Sequence, residues 1–159
     1  MPRVKHYFEK GHSYHITSRT EGGIFAFGSD DAKRKIVNAL AFYRQRGQWR
    51  VHGFVVMANH VHVVASQTGV PLNNVVRDLK KFLHHELRGP GESPLWERRF
   101  DDNAIRHVVE MRDVVQYVHN NPVRIGLVQR PEDYFWSSAS NYSGLTPVAM
   151  EIDRLEGPL

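Results

Sequence analysis

The 159-residue chain has no cysteine. That excludes a disulfide framework and any cysteine-ligated metal site. It also has no apolar run approaching the ~18 residues a membrane-spanning helix needs, so no membrane association is expected. Met1-Pro2-Arg3-Val4-Lys5-His6 lacks the apolar centre of a secretory leader, and with the missing cysteines this points to the cytoplasm. No internal repeat and no low-complexity stretch is present. Acidic residues are in modest deficit, 17 against 21 Lys and Arg. Three of the acids, Glu151, Asp153 and Glu156, fall in the last nine residues, so residues 1–150 carry 20 basic and 14 acidic groups. A basic domain of this kind is compatible with a nucleic-acid partner without demanding one.

What the chain does have is an ordinary globular balance, 41% hydrophobic and 24% charged, and ten histidines. Its length suits one domain over residues 1–145, with 146–159 read as a C-terminal tail. Residues 13–19, with aromatic and β-branched side chains, predict a strand. Ser29 is a good N-cap for a helix over 30–46, with Ile36, Leu40 and Tyr43 on one face. Residues 49–57 and 60–66 predict two strands, and the two residues between them predict an antiparallel hairpin. Pro71 opens a helix to about 88, apolar along Leu72, Val75, Val76, Leu79 and Leu83 and basic along Arg77, Lys80, Lys81 and Arg88. Residues 89–94 must be a loop, and 96–106 are irregular or a short strand. A third helix over 107–120 is ended by Pro122. The fold class expected is α+β, a ferredoxin-like sandwich in which a small antiparallel sheet has helices packed on one face.

His60-Val61-His62 is the first candidate for chemistry. Alternation along a strand puts both imidazoles on one face, where they can grip a divalent ion. Ten histidines would produce one such spacing by chance ~0.6 times, so the pair alone leaves a metal site and a solvated strand face equally open. Tyr117 lies beside the apolar stripe of the third helix, with Glu110, Asp113 and Asn121 at helical spacing on its side. It reads equally as a boundary tyrosine with a wet hydroxyl, and Asn121 as a helix C-cap. Trp49, Trp96, Trp136, Phe100 and Phe135 are capable of stacking on bases, but tryptophans in a chain this small are mostly core.

Taken in series, four segments carry a resemblance. Met57-Ala58-Asn59-His60-Val61-His62 is followed by Trp96-Glu97-Arg98-Arg99-Phe100-Asp101-Asp102. Then come Tyr117-Val118-His119-Asn120-Asn121-Pro122-Val123-Arg124-Ile125-Gly126-Leu127-Val128 and Trp136-Ser137-Ser138. In order and spacing they resemble the REP-associated tyrosine transposases, of the single-tyrosine HUH superfamily, and Tyr14-His15-Ile16-Thr17-Ser18-Arg19 looks like that family's first strand. The resemblance covers roughly residues 7–142. Position 58 is Ala where the family often has Pro, a change in turn rigidity only.

The resemblance implies a metal-dependent single-stranded DNA endonuclease and strand-transferase that cuts beside DNA hairpins through a covalent 5′-phosphotyrosine. His60, His62 and Asn121 would match the ligands of a Mg²⁺ or Mn²⁺ ion and Tyr117 the nucleophile, with His119 supporting the helix end, touching DNA or replacing Asn121. The expected partner is a single-stranded hairpin from a repetitive palindromic element, contacted by Arg77, Lys80, Lys81, Arg88, Arg98, Arg99 and Arg124. Monomer and homodimer are both allowed. Two other readings stand beside this one. One is a hairpin-binding protein without cleavage. The other is an unrelated hydrolase with a metal held by His60, His62 and His15 or His52.

Overall fold

The computed structural model describes residues 12–159. Residues 1–11, on which the leader expectation rests, lie outside the described residues. Strands β1 (Ser13–Arg19), β2 (Trp49–Val56), β3 (His60–Gln67) and β4 (Asp101–Ile105) form one sheet in the order β2-β3-β1-β4. Every neighbouring pair is antiparallel. Helix α1 (Asp30–Gln45) joins β1 to β2, and α2 (Leu72–Leu87) joins β3 to β4. This is the ferredoxin-like β-α-β-β-α-β plan. After it come α3 (Val108–His119), the single turn α4 (Asn121–Arg124) and the short α5 (Ala139–Ser143).

Alternation along the strands sorts the residues into two faces. Tyr14 and Ile16 of β1, Val51, Phe54 and Val56 of β2, and Val61, Val63 and Ala65 of β3 face the larger core. There they meet Ile36, Val37 and Leu40 of α1 and Leu72, Val75, Val76, Leu79 and Leu83 of α2. Each such side chain, fully buried, contributes roughly 1.5–3 kcal/mol. Ser29 caps α1 through its side-chain oxygen, which accepts from the Ala32 N–H at 3.1 Å.

Helices α1 and α2 thus pack on one face, as the amphipathic patterns predict. Helix α3 lies across the other. Its Val115 and Val118 close a smaller core with Val55, Met57, Val64 and Ile105. The close approach depends on Gly53 in β2, whose position faces Val115 directly. Pro122 ends α3, but it sits in the first turn of α4, where a missing N–H costs nothing. The sequence predicts a plain helix end here; the chain instead makes one more helical turn after Asn120.

Residues 146–159 lie along the domain. Met150 is buried in the larger core. The Asp153 carboxylate accepts from Arg44 at 3.0 and 3.2 Å and from the Val51 N–H at 2.9 Å. Among the described residues no helix is long and apolar enough to cross a membrane.

Candidate active site

The sheet register sets the site. On the α3 face of β3, His60 lies opposite Arg19 of β1, and His62 lies opposite Thr17. His15 stands one step further along the same face of β1, opposite Val64. The rings of His60 and His62 have centroids 5.0 Å apart, as do those of His15 and His62. Tyr117 reaches over this cluster from α3, its ring 6.1 Å from His15 and 6.3 Å from His62. The tyrosine is 49% exposed, so its hydroxyl is open to an incoming molecule.

Each histidine of the pair is held by one ring nitrogen. His60 Nδ1 lies 2.7 Å from Asn59 Oδ1. The amide oxygen can only accept, so Nδ1 carries the hydrogen and Nε2 keeps its lone pair. His62 Nδ1 lies 2.9 Å from both Thr17 Oγ1 and His15 Nε2. This is the arrangement in which histidines ligate metals, one nitrogen fixed by a neighbour and the other free to bind.

Burial, then the positive field of Arg19, holds His60 below the usual imidazole range, with Arg124 adding to it and the neighbouring Asn121 side chain opposing. Burial holds His62 at about 3, helped by its neighbours His15 and His60 and by Arg19 and Arg124. Burial and Arg19 also lower His15. All three imidazoles are therefore neutral at physiological pH.

Asn121 enters from α4. It is buried, and its amide nitrogen donates to the Tyr117 and Val118 carbonyls at 3.3 Å each. Its Oδ1 accepts from Arg124 Nη2 at 2.9 Å, and the side chain lies close enough to the His60 ring to favour that ring's protonated form. The Arg124 guanidinium lies 4.4 Å from the centre of the Tyr117 ring. Asn121 therefore ties together the histidine pair, the tyrosine helix and an arginine.

His119 does not join this group. It is buried, its Nε2 lies 2.6 Å from Ser138 Oγ, and its ring neighbours Tyr142. Burial holds its pKa at about 4. Ser138 also accepts from the Phe54 N–H at 2.9 Å, so His119 and Ser138 pin the end of α3 to β2. This contact is of the kind that supports a helix end.

Among the described residues no group of three His, Cys, Asp or Glu side chains is disposed to hold a metal. The Asn121 amide oxygen offers a donor of another residue type beside the two imidazoles. Two neutral imidazoles and one amide oxygen suit a divalent ion whose other positions are filled by water and phosphate oxygens. The residues therefore fit Mg²⁺ or Mn²⁺.

The basic residues divide. Arg19 and Arg124 flank the histidines; Arg19 was not singled out from sequence, though its register opposite His60 follows once the strands are paired. Arg19 also pairs with Asp101 at 2.5 Å. Arg77, Lys81, Arg98 and Arg99 are exposed, Arg77 in an ion pair with Asp78. Lys80 is half-buried: its Nζ donates to the Glu97 carbonyl at 3.0 Å and lies over the rings of Trp96 and Phe100. Arg88 is half-buried too, its Nε enclosed without a hydrogen-bond partner. Trp49, Trp96 and Trp136 are core residues. On the far side of Tyr117 a cleft of about 580 Å³ is lined by Asp113 and Glu132 among others. Its carboxylates disfavour anions, whereas Arg19 and Arg124 make the histidine side of Tyr117 positive.

No protein-family model matches the chain. A curated relative from Escherichia coli (strain K12), a REP-associated tyrosine transposase, is 27% identical over 103 residues, 64% of this chain and 61% of the relative. The match thus spans less than two thirds of the relative's length. A solved structure of a REP-associated tyrosine transposase bound to a REP hairpin superposes with a TM-score of 0.73 at 22% identity, covering 99% of this chain and 95% of that one. In sequence over the matched stretch, and in fold over nearly its whole length, the chain resembles the REP-associated tyrosine transposases.

Proposed function

We propose that the protein is a metal-dependent endonuclease and strand-transferase acting on single-stranded DNA beside a hairpin, with Tyr117 as nucleophile. The observation that carries this reading is the convergence of His60, His62, Asn121 and Tyr117 on one face of the sheet, with Arg19 and Arg124 beside them. The hairpin bound in the similar solved structure supports a hairpin substrate here.

His60, His62 and Asn121 would hold a divalent ion, which when bound offsets charge on the scissile phosphate and on the groups around it. Arg19 and Arg124 bring the phosphate to the same face and add positive charge. Tyr117, anchored through the neighbouring Val115 and Val118, presents its Oη to the phosphorus. The Tyr117 O–P bond forms as the bond from phosphorus to the 3′ oxygen breaks. The phenol proton leaves the tyrosine, and the departing 3′ oxygen takes up a proton as a free hydroxyl. The product is a 5′-phosphotyrosine, which keeps a phosphodiester. Another 3′-hydroxyl can therefore reverse the step and rejoin the strand without ATP. A neutral phenol is a weak nucleophile, so proximity and the positive surroundings must supply the activation.

The test is denaturing electrophoresis of labelled hairpin DNA, taken from repeats flanking the gene, after incubation with Mg²⁺ or Mn²⁺. A covalent protein–DNA adduct is expected with the wild type and none with Tyr117→Phe. Cleavage that persists in Tyr117→Phe would overturn the tyrosine mechanism. Binding without an adduct in either protein would leave the cleavage-free reading in its place.

A further inference from the structure

The loop between β1 and α1 carries an aromatic ring that no core explains. Phe25 is 74% exposed, more than any other aromatic ring among the described residues. A phenylalanine at the tip of a slack loop would mean little, but this loop is braced. Thr20 Oγ1 donates to the Ile24 carbonyl at 2.7 Å, and the Phe27 N–H donates to the Ala58 carbonyl at 2.9 Å. Lys33 Nζ reaches in from α1 to the carbonyls of Phe27 and Gly28 at 2.6 and 3.1 Å. The ring is therefore presented on a fixed support, which keeps the entropy lost on stacking small.

The place of that support matters more. On one side the Thr20 N–H donates to the Asn59 carbonyl, and Asn59 Nδ2 reaches the Gly23 carbonyl at 3.4 Å. Asn59 is the residue that orients His60. On the other side the Glu21 N–H donates to the Leu95 carbonyl, and the Glu97 N–H donates to that of Arg19. That second segment runs directly into the exposed Arg98 and Arg99. The loop that carries the exposed ring is thus tied both to the residue beside the histidine site and to the segment that leads into a pair of arginines. Protein-docking sites surround their anchor with further apolar area. Here the neighbours before it in the chain are Gly22, Gly23 and Ile24, itself 39% exposed, so on that side a single aliphatic side chain is the apolar area beside the ring in sequence. A rigid exposed ring, on a loop tied to an arginine-bearing segment, is a feature that binds single-stranded nucleic acid.

We propose that Phe25 is a stacking platform for an unpaired base of the strand that runs from the Tyr117 site toward Arg98 and Arg99. This rests on the DNA-processing reading above but assigns a contact outside its reacting groups. The ring would hold the strand in one register, so that a particular phosphate faces Tyr117.

The probe is a twelve-residue thymidine oligonucleotide, dT12, and a twelve-residue abasic strand with the same phosphates, bound to the full chain and followed by fluorescence anisotropy. Phe25→Leu should weaken dT12 about tenfold, leave the abasic strand unchanged and keep the wild-type melting temperature. Phe25→Trp should keep dT12 affinity, and its new exposed indole should be quenched by dT12 but not by the abasic strand. Equal dT12 affinity for wild type and Phe25→Leu would overturn the proposal, as would loss of self-association in Phe25→Leu with dT12 binding intact. The two readings fail separately. Absence of a covalent adduct with the Phe25 dependence intact removes the cleavage chemistry and leaves the platform. A normal adduct without that dependence does the reverse.

Discussion

Gly53 is where the sheet lets the tyrosine helix approach, and Gly53→Ala is the sharpest test of how the site is positioned. A Cβ at this position would stand 3.2 and 3.3 Å from the two Val115 methyls and 3.4 Å from Ser138 Oγ. Ordinary carbon–carbon contacts lie at about 3.5–4.0 Å, so α3 must retreat by a few tenths of an ångström. Two effects compete. Replacing glycine with alanine restricts the unfolded chain and stabilises by about 0.4–1 kcal/mol. Overpacking a filled interior costs about 1–3 kcal/mol. The contact involves Val115, fully buried, and Ser138, also fully buried, so neither neighbour can swing into solvent, and the cost should win by about 1–2 kcal/mol. Val115 is two residues from Tyr117, so the same retreat moves the proposed nucleophile. A misplacement of about 1 Å costs about a hundredfold in rate, so a few tenths should slow adduct formation by roughly three- to tenfold. Urea denaturation would read the first effect, and single-turnover adduct formation on hairpin DNA the second. Wild-type stability together with a wild-type rate would show that α3 is not seated on β2 as described.

Ser138→Ala removes the partner of both His119 Nε2 and the Phe54 N–H; two buried polar groups left unsatisfied should cost about 2–4 kcal/mol in the urea midpoint analysis, and a loss under about 0.5 kcal/mol would refute the pinning role. Stability should also depend on pH through His52, whose Nδ1 donates to the Asp153 carbonyl and whose Nε2 meets Ser66 Oγ. Burial, assisted by Arg50, holds its folded pKa below the ordinary 6.5, so the unfolded chain takes up the proton first. This contribution is complete above about pH 6.5 and declines as the pH falls below it. In urea titrations between pH 8 and 5, His52→Gln should show a shallower decline than wild type, and an equal slope would exclude the effect.

Much of this architecture was legible because it rests on local patterns. The hairpin needed only two β-rich runs with a two-residue gap, and the helices over 30–45 and 72–87 needed only caps and apolar spacing. His60 and His62 shared a face by alternation alone. What was not legible depended on pairing between distant strands. Arg19 gains its place only when β1 is registered against β3, and His15 and Thr17 become the partners of His62 by the same step. The side on which α3 packs is fixed by contacts among Gly53, Val115 and Ser138, residues 62 and 23 positions apart, which no local period records. Phe25 was passed over because exposure is a property of the folded chain, whereas the tryptophans weighed for stacking turned out to be needed inside.

The two halves of the site are not held with equal strength. β3 is hydrogen-bonded along both edges, seven residue pairs to β1 and seven to β2, whereas α3 is kept in place by the smaller core and the Ser138 contact. Amide hydrogen exchange should therefore be slowest at His62 and distinctly faster at Tyr117, since opening of the helix does not require the sheet to part. A protein built this way can let Tyr117 move while the pair of imidazoles stays where the sheet has set it.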